Sequence, residues 1–327
     1  MKKASLKALK ILLPLALGIF LIYISYTQFT ENQINEIKSY LIDANYGWIV
    51  LGVILAFLSH LSRAWRWNYM LKAIGHQPAF LTNVMAIGTG YAMNLIIPRS
   101  GEVARAVVVN RVNNVPVDKA IGTIIAERVL DFIILLIITA TALLVSGTVI
   151  IDFFKERLNN AFAKADSSTI LIYGIIALIF TIIVVVLFRY IKPFQKLKNF
   201  ISGLKDGFNT IWTMQQKWLY LAHTLFIWTM YLLMFYVSIF ALPGTTSIPI
   251  SGILSAFVAG SFAVAFTNGG FGAYPYFIAQ VLLLFGVADT LGTSLGWILW
   301  TSQTVLVLVY GIVSFVMLSI KNSVSAK

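Results

Sequence analysis

Six charges stand beside or inside segments that otherwise read as soluble in hydrocarbon: Arg99, Glu102 and Arg105 just after Pro98, and Glu127, Arg128 and Asp131 in the following apolar run. A charged side chain at the bilayer centre costs about 2.5–3.5 kcal/mol on insertion scales, so six unpaired charges would cost on the order of 15 kcal/mol or more. Net folding stability is typically about 5–15 kcal/mol, so these groups must pair with one another or face water. The three arginines and three carboxylates sum to zero, which is what a closed internal network needs. On a helix Glu127 and Asp131 are i, i+4 neighbours and repel, so a cation is expected between them, supplied by Arg99 or Arg105. Arg128, one position round, is expected to face a cavity. A guanidinium in a polar cavity suits bidentate recognition of phosphate, and a broken helix adds free amides that favour anions.

The elements that hold these groups must be membrane spans. The chain has 327 residues, 59% hydrophobic and 11% charged, with apolar runs from end to end. A helix needs about 20 apolar residues to cross the hydrocarbon core. Such runs fall near 11–27, 47–70, 120–147, 168–189, 218–241 and 291–319. The continuous runs lack the alternation of a barrel, so the fold class is all-α, a polytopic helical membrane protein. The chain contains no cysteine, which excludes disulfides and thiolate chemistry, and His60, His76 and His223 are scattered. No metal, cofactor or catalytic residue is therefore expected.

With the amino terminus placed inside, 19 of the 24 Lys and Arg residues fall at cytoplasmic ends of segments, which puts both termini in the cytoplasm. The net charge of +12 is then a topology signal and an attraction to anionic headgroups, and no nucleic-acid partner is implied. The first apolar segment lacks a small-x-small cleavage site and reads as a retained helix. Residues 192–216 have the spacing of an amphipathic helix on the inner leaflet. Arg63 and Arg66, with Trp65, Trp67 and Tyr69, read as a cytoplasmic interfacial anchor.

Two apolar stretches, near 82–110 and 250–287, are interrupted. If the first crossed fully, Arg99, Arg105, Arg111 and Lys119 would land outside, against the charge rule. A re-entrant hairpin, broken around Asn94, Pro98 and Gly101, avoids this, because Pro98 disfavours helical geometry at Ile97 and Gly101 permits a tight turn. A second hairpin is expected around Asn268, Gly269, Gly270, Gly272 and Pro275, approached from the opposite side, although the charge count alone would also permit two full crossings there. The order of long helix, broken hairpin and long helix thus occurs twice, which predicts one membrane domain over 1–327 with inverted-repeat halves at roughly 46–147 and 218–319.

The pattern of Asn94, Pro98, Arg99, Gly101, Glu102 and Arg105, then Glu127, Arg128 and Asp131, then Gly269-Gly270-Phe271-Gly272, resembles the lysylphosphatidylglycerol synthase transmembrane family, also called the flippase-like domain family. The resemblance extends over nearly the whole chain. In the multiple peptide resistance factors such a domain is joined to a soluble synthase that aminoacylates phosphatidylglycerol, and the membrane part is held to translocate the product. The resemblance implies that this chain is the translocating part alone, working beside a separate lipid-modifying enzyme. Pro275 stands where many members carry Glu, which removes an acidic group from the second hairpin and speaks against a cationic lipid such as lysylphosphatidylglycerol.

The expected function is a lipid translocase in a bacterial-type cytoplasmic membrane that moves an amphiphile with a phosphate-containing headgroup between leaflets. The charged residues would serve as substrate-binding groups. The alternatives are a secondary transporter of a small anionic solute and a membrane-embedded transferase. Because the chain has no cysteine, single cysteines introduced at Ser5 and Ser325 report topology directly. Both are expected to react with an impermeant maleimide only after the membrane is opened; labelling of either in intact cells would overturn the orientation.

Overall fold

Long apolar runs can satisfy their backbone in lipid only by closing hydrogen bonds within each segment, and the computed structural model accordingly shows an all-α chain, without strands among the described residues. It describes residues 2–98, 100–164, 181, 211–267 and 269–325. The expected span at 168–189, most of the expected inner-leaflet helix at 192–216, Arg99 and Asn268 lie outside the described residues.

The helices are α1 (Lys2–Gln28), α2 (Glu31–Asp43), α3 (Tyr46–Ala73), α4 (Phe80–Ile96), α5 (Gly101–Asn113), α6 (Val117–Lys164), α7 (Lys217–Ser238), α8 (Ile250–Phe266), α9 (Ala273–Leu283) and α10 (Asp289–Ser325). Four helical stretches among the described residues are long and apolar enough to cross a membrane: Tyr46–Ala73, Val117–Phe153, Lys217–Ala241 and Asp289–Ile320. The sequence expectations did not include α2. Its start is nevertheless written in a capping box, in which the Thr30 amide donates to Gln33 Oε1 at 2.9 Å and the Gln33 amide donates back to Thr30 Oγ1 at 3.3 Å.

Lipid-facing surface is legible on α10. Val305, Leu308, Val309, Ile312, Val313, Val316 and Ile320 are all exposed at helical spacing, a stripe that water would penalise and hydrocarbon does not. The opposite face of α10 carries both broken hairpins. Gly88 of α4 lies against Tyr310 and Ser314, Ala92 lies against Gly311, and Tyr310 Oη donates to the Val84 carbonyl at 2.6 Å. Small residues at four-residue spacing let the backbones approach this closely. Nearer the start of α10, Gly292 meets Ala279 and Gly296 meets Pro275 of α9.

The two hairpins therefore approach the middle of α10 from opposite ends. Their tips meet there: Leu95 of the first reaches the Gly269 backbone of the second, and Trp300 Nε1 donates to the Gly269 carbonyl at 2.9 Å. The contacts are reciprocal, with α4 lying along α10, α8 along α6, and α3 beside α7.

Each break has its own chemistry. In the first, Ile97 is extended ahead of Pro98, and the Gly101 amide at the start of α5 donates to Asn94 Oδ1 at 2.7 Å, while Ser100 Oγ donates to the carbonyls of Met93 and Ile97. Gly101, expected to permit a tight turn, does not take a positive φ and instead opens α5. A side chain there would run into Asn94 and the Gly90 backbone, so glycine is required for the close crossing of α4 and α5. In the second break Gly269, Gly270 and Gly272 all take positive φ, between 64° and 79°. Pro275 is not part of that break; it occupies the first turn of α9, where a missing amide proton costs no hydrogen bond.

Two glycine substitutions test this packing. A Cβ at Gly296 would lie 2.5 Å from the Pro275 Cα, whereas nothing lies within 4 Å of one at Gly122 on α6. Gly296→Ala is expected to destabilise by about 1–3 kcal/mol through overpacking. Gly122→Ala is expected to stabilise by about 0.5–1 kcal/mol through helix propensity. Unfolding in detergent checks the pair; equal effects would contradict the hairpin's seat on α10.

Candidate functional site

The polar residues of α3 fall on one face. Ser59, Arg63 and Arg66 recur at intervals of four and three, all are buried, and Trp67 beside them is fully buried. On α6, Thr123, Glu127 and Asp131 form the facing stripe at intervals of four. The two stripes meet in a network of ion pairs. Asp131 takes both ends of the Arg66 fork, at 2.7 Å from Nη1 to Oδ1 and 3.1 Å from Nη2 to Oδ2, and Arg63 Nη1 donates to Oδ2 at 2.7 Å.

Arg66 Nε lies 3.4 Å from Glu127 Oε1, near enough for charge attraction although not aligned as a hydrogen bond. Arg105 of α5 completes the set by donating to Glu127 Oε2 at 2.9 Å. The Arg105 guanidinium also lies 4.1 Å from the centre of the Trp67 ring, whose Nε1 donates to Thr123 Oγ1 at 2.9 Å. Arg66 is further held by Thr224 of α7 at 3.2 Å and lies over the Tyr220 ring.

The cation that reaches both Glu127 and Asp131 is thus Arg66 of α3; Arg105, expected there, reaches Glu127, and Arg99 lies outside the described residues. The expected interfacial anchor is corrected in the same stroke. Arg66 and Trp67 are fully buried and Arg63 nearly so, whereas Trp65 remains exposed and stacks on Phe80. Arg flanked by Trp and Tyr is also the composition of a headgroup belt; the spacing of Ser59, Ser62, Arg63 and Arg66 is the sequence signal for a buried polar face. Those arginines, and Arg105, therefore also drop out of the interfacial charges that report topology.

The balance of charge changes too. Inside the network three guanidiniums, of Arg63, Arg66 and Arg105, face two carboxylates, of Glu127 and Asp131. The remaining pair, Arg128 Nη2 to Glu102 Oε1 at 3.0 Å, is neutral and stands apart, with side chains 43% and 30% exposed. The described charges are therefore one positive charge in excess, where the sequence reading expected a sum of zero.

Above the network lies a cavity of about 1150 Å³ between the hairpin tips. One part of its wall is polar, with Arg63, Asn94, Glu102, Arg128 and Asp131. Along α6 the lining then changes within two turns to Phe132 and Leu135, and α8 and α10 continue the apolar wall with Val264, Phe266, Leu299 and Val307. Pro98, Gly269 and Trp300 place both hairpin breaks on this wall, whereas Gly101, Gly270, Gly272 and Pro275 act behind it as backbone contacts. The space is amphipathic, with an excess cation at its polar part.

The family model described as the lysylphosphatidylglycerol synthase TM region matches residues 11–319, so the chain belongs to that family. A curated UPF0104 membrane protein of Methanocaldococcus jannaschii is 30% identical over 125 residues, 37% of this chain. That match spans 36%, about a third, of the relative's length. No solved structure matches the chain. Membership places the chain among membrane proteins of lipid metabolism or transport.

The two tiers of ion pairs separate under substitution. Arg66→Gln leaves Asp131 and Glu127 buried and short of a partner, and is expected to cost about 3–5 kcal/mol of stability. Arg128→Gln breaks a partly exposed pair and is expected to cost less than about 1 kcal/mol. Unfolding midpoints in one detergent check the contrast; similar losses would mean that the cavity pair carries the fold as much as the inner one.

Proposed function

We propose that this protein is a lipid translocase that moves an amphiphile with a phosphate-containing headgroup between leaflets. The observation that carries the reading is the amphipathic cavity between the two hairpin tips. Its volume of about 1150 Å³ exceeds the roughly 300–1,000 Å³ of ordinary small-molecule pockets, and most of its wall is apolar. A small hydrophilic anion would leave that wall wetted. An amphiphile places its phosphate at the polar part and its hydrocarbon along Phe132, Leu135, Val264 and Phe266.

Among the described arginines, the exposure of Arg128 at the cavity favours it as the group that meets the headgroup, with Arg63 behind it at the cavity wall. Arg66 and Arg105 are committed to Glu127 and Asp131 and serve as the fixed floor. The excess positive charge favours an anionic headgroup, and guanidinium geometry suits phosphate. The helix order over 46–147 and 218–319, with hairpins reaching α10 from opposite ends, supports an inverted repeat whose halves rock about the cavity to open it to one leaflet and then the other. The cytoplasmic membrane, with both termini inside, is the setting in which the charge distribution fits this cycle.

Reconstitution tests it. Vesicles containing the protein and a fluorescent phosphatidic acid are treated with an impermeant quencher, and the rate at which inner-leaflet lipid becomes accessible is read. Arg128→Gln is expected to slow it about tenfold, the loss of one charge-assisted contact of about 1.5 kcal/mol. Equal rates for parent and variant would remove Arg128 from the transport path. Phosphate flux without lipid movement would favour a small-solute transporter instead.

A further inference from the structure

The Arg128–Glu102 pair differs from every other ion pair described in the chain. It is the one with substantial exposure, and it ties the first turn of α5 at the hairpin break to α6; like the buried Arg63–Asp131 pair, it has both partners on the cavity wall. Three residues further along α5, Arg105 is tied to Glu127, one residue before Arg128, and that pair is buried. Hairpin and α6 are thus joined twice at neighbouring positions, once by a fixed bond sealed against Trp67 and once by a bond open to the cavity.

We propose that Glu102 is an internal stand-in for the substrate phosphate. Resting on the translocase reading above, its carboxylate occupies the Arg128 guanidinium while the cavity is unloaded, and an entering phosphate headgroup displaces it. The physical case is one of competition. An exposed carboxylate pair contributes little on its own, because solvent screens it and two long side chains must be ordered. Glu102 contacts Arg128 through a single bond, from Nη2, whereas a phosphate headgroup has three terminal oxygens as a monoester and two as a diester, and either engages the guanidinium fork in two bonds.

The excess positive charge of the buried network adds to the pull on an incoming anion, and the phosphate that displaces Glu102 keeps Arg128 paired. The inner Arg105–Glu127 bond stays closed throughout, so loading releases the tip of the hairpin while its base remains fixed. Exchange of one ligand for another at Arg128 couples recognition of the headgroup to the freedom of the hairpin tip at the cavity. It also keeps Arg128 paired between transport events, when an unpaired guanidinium would face a largely apolar cavity.

Binding of dioctanoyl phosphatidic acid to the detergent-purified full chain, read by native mass spectrometry titration, tests the exchange. Removing a competitor must tighten binding, while losing a merely structural contact would weaken it. Glu102→Gln and Glu102→Ala are each expected to bind the lipid about two- to fivefold tighter than the parent. Arg128→Gln is expected to bind at least tenfold more weakly, and Glu102→Gln combined with Arg128→Gln to match Arg128→Gln alone.

Unchanged or weaker binding in both Glu102 variants, with binding still lost in Arg128→Gln, overturns the stand-in role and leaves the translocase reading in place. Equal binding by the parent and Arg128→Gln overturns the reading on which the proposal rests. Inorganic phosphate titrated against the lipid separates the two sources of the shared chemistry. Weak competition by phosphate alone supports a lipid headgroup as the displacing group, and competition as strong as that of the lipid overturns it.

Discussion

Hydrocarbon does not solvate charge, and the fold is organised around that prohibition. Asp131 of α6 takes bonds from Arg63 and from both ends of the Arg66 fork, all on α3. Once α3 supplies two guanidiniums to one carboxylate, α6 must lie against α3, and Glu127 one turn away needs the second source of positive charge that α5 brings in Arg105. The first hairpin is therefore held by electrostatics as well as by shape. A water-filled interior would tolerate looser pairing; here a missing partner leaves a buried charge uncompensated, which makes the geometry strict.

Close backbone approach is the second organising device. Without a hydrophobic force between helices in lipid, contact area and shape must do the joining. Gly88, Ala92 and Gly311 seat the first hairpin on α10, and Gly292 and Gly296 seat the second. Because both seats lie on one long helix, the two hairpin tips are brought together near Trp300. Their broken backbones then border the cavity, the setting in which non-helical chain is tolerated at membrane depth. Charge and packing thus converge on the same place: the ion network forms the floor of the space, and the hairpin tips form its sides.

Much of this was legible in the residues. Helical class followed from apolar runs, and both hairpins followed from Pro98 and the cluster of Gly269, Gly270 and Gly272 between apolar arms. The i, i+4 spacing of Glu127 and Asp131 stated that a cation must come between them. Less legible were the partners. Arg63 and Arg66 were hidden by their aromatic neighbours, since Trp and Tyr beside Arg is also the composition of a membrane interface. Gly101 and Pro275 have the residue types of a turn, yet one serves a helix crossing and the other a helix start.

The sequence by itself determined that the chain is helical, embedded in a membrane, interrupted twice, and obliged to neutralise its internal charges, because each of these follows from local composition and from the cost of leaving a polar group in lipid. Only the tertiary structure decided which cation meets which carboxylate, that one positive charge is left over among the described groups, and that the Arg128–Glu102 pair is open to a cavity while Arg66, Arg105 and Glu127 are buried. Pairing across 65 residues between Arg66 and Asp131 depends on how two helices are rotated and set against each other. Rotation and height are fixed by packing with the rest of the molecule, and no local spacing encodes them.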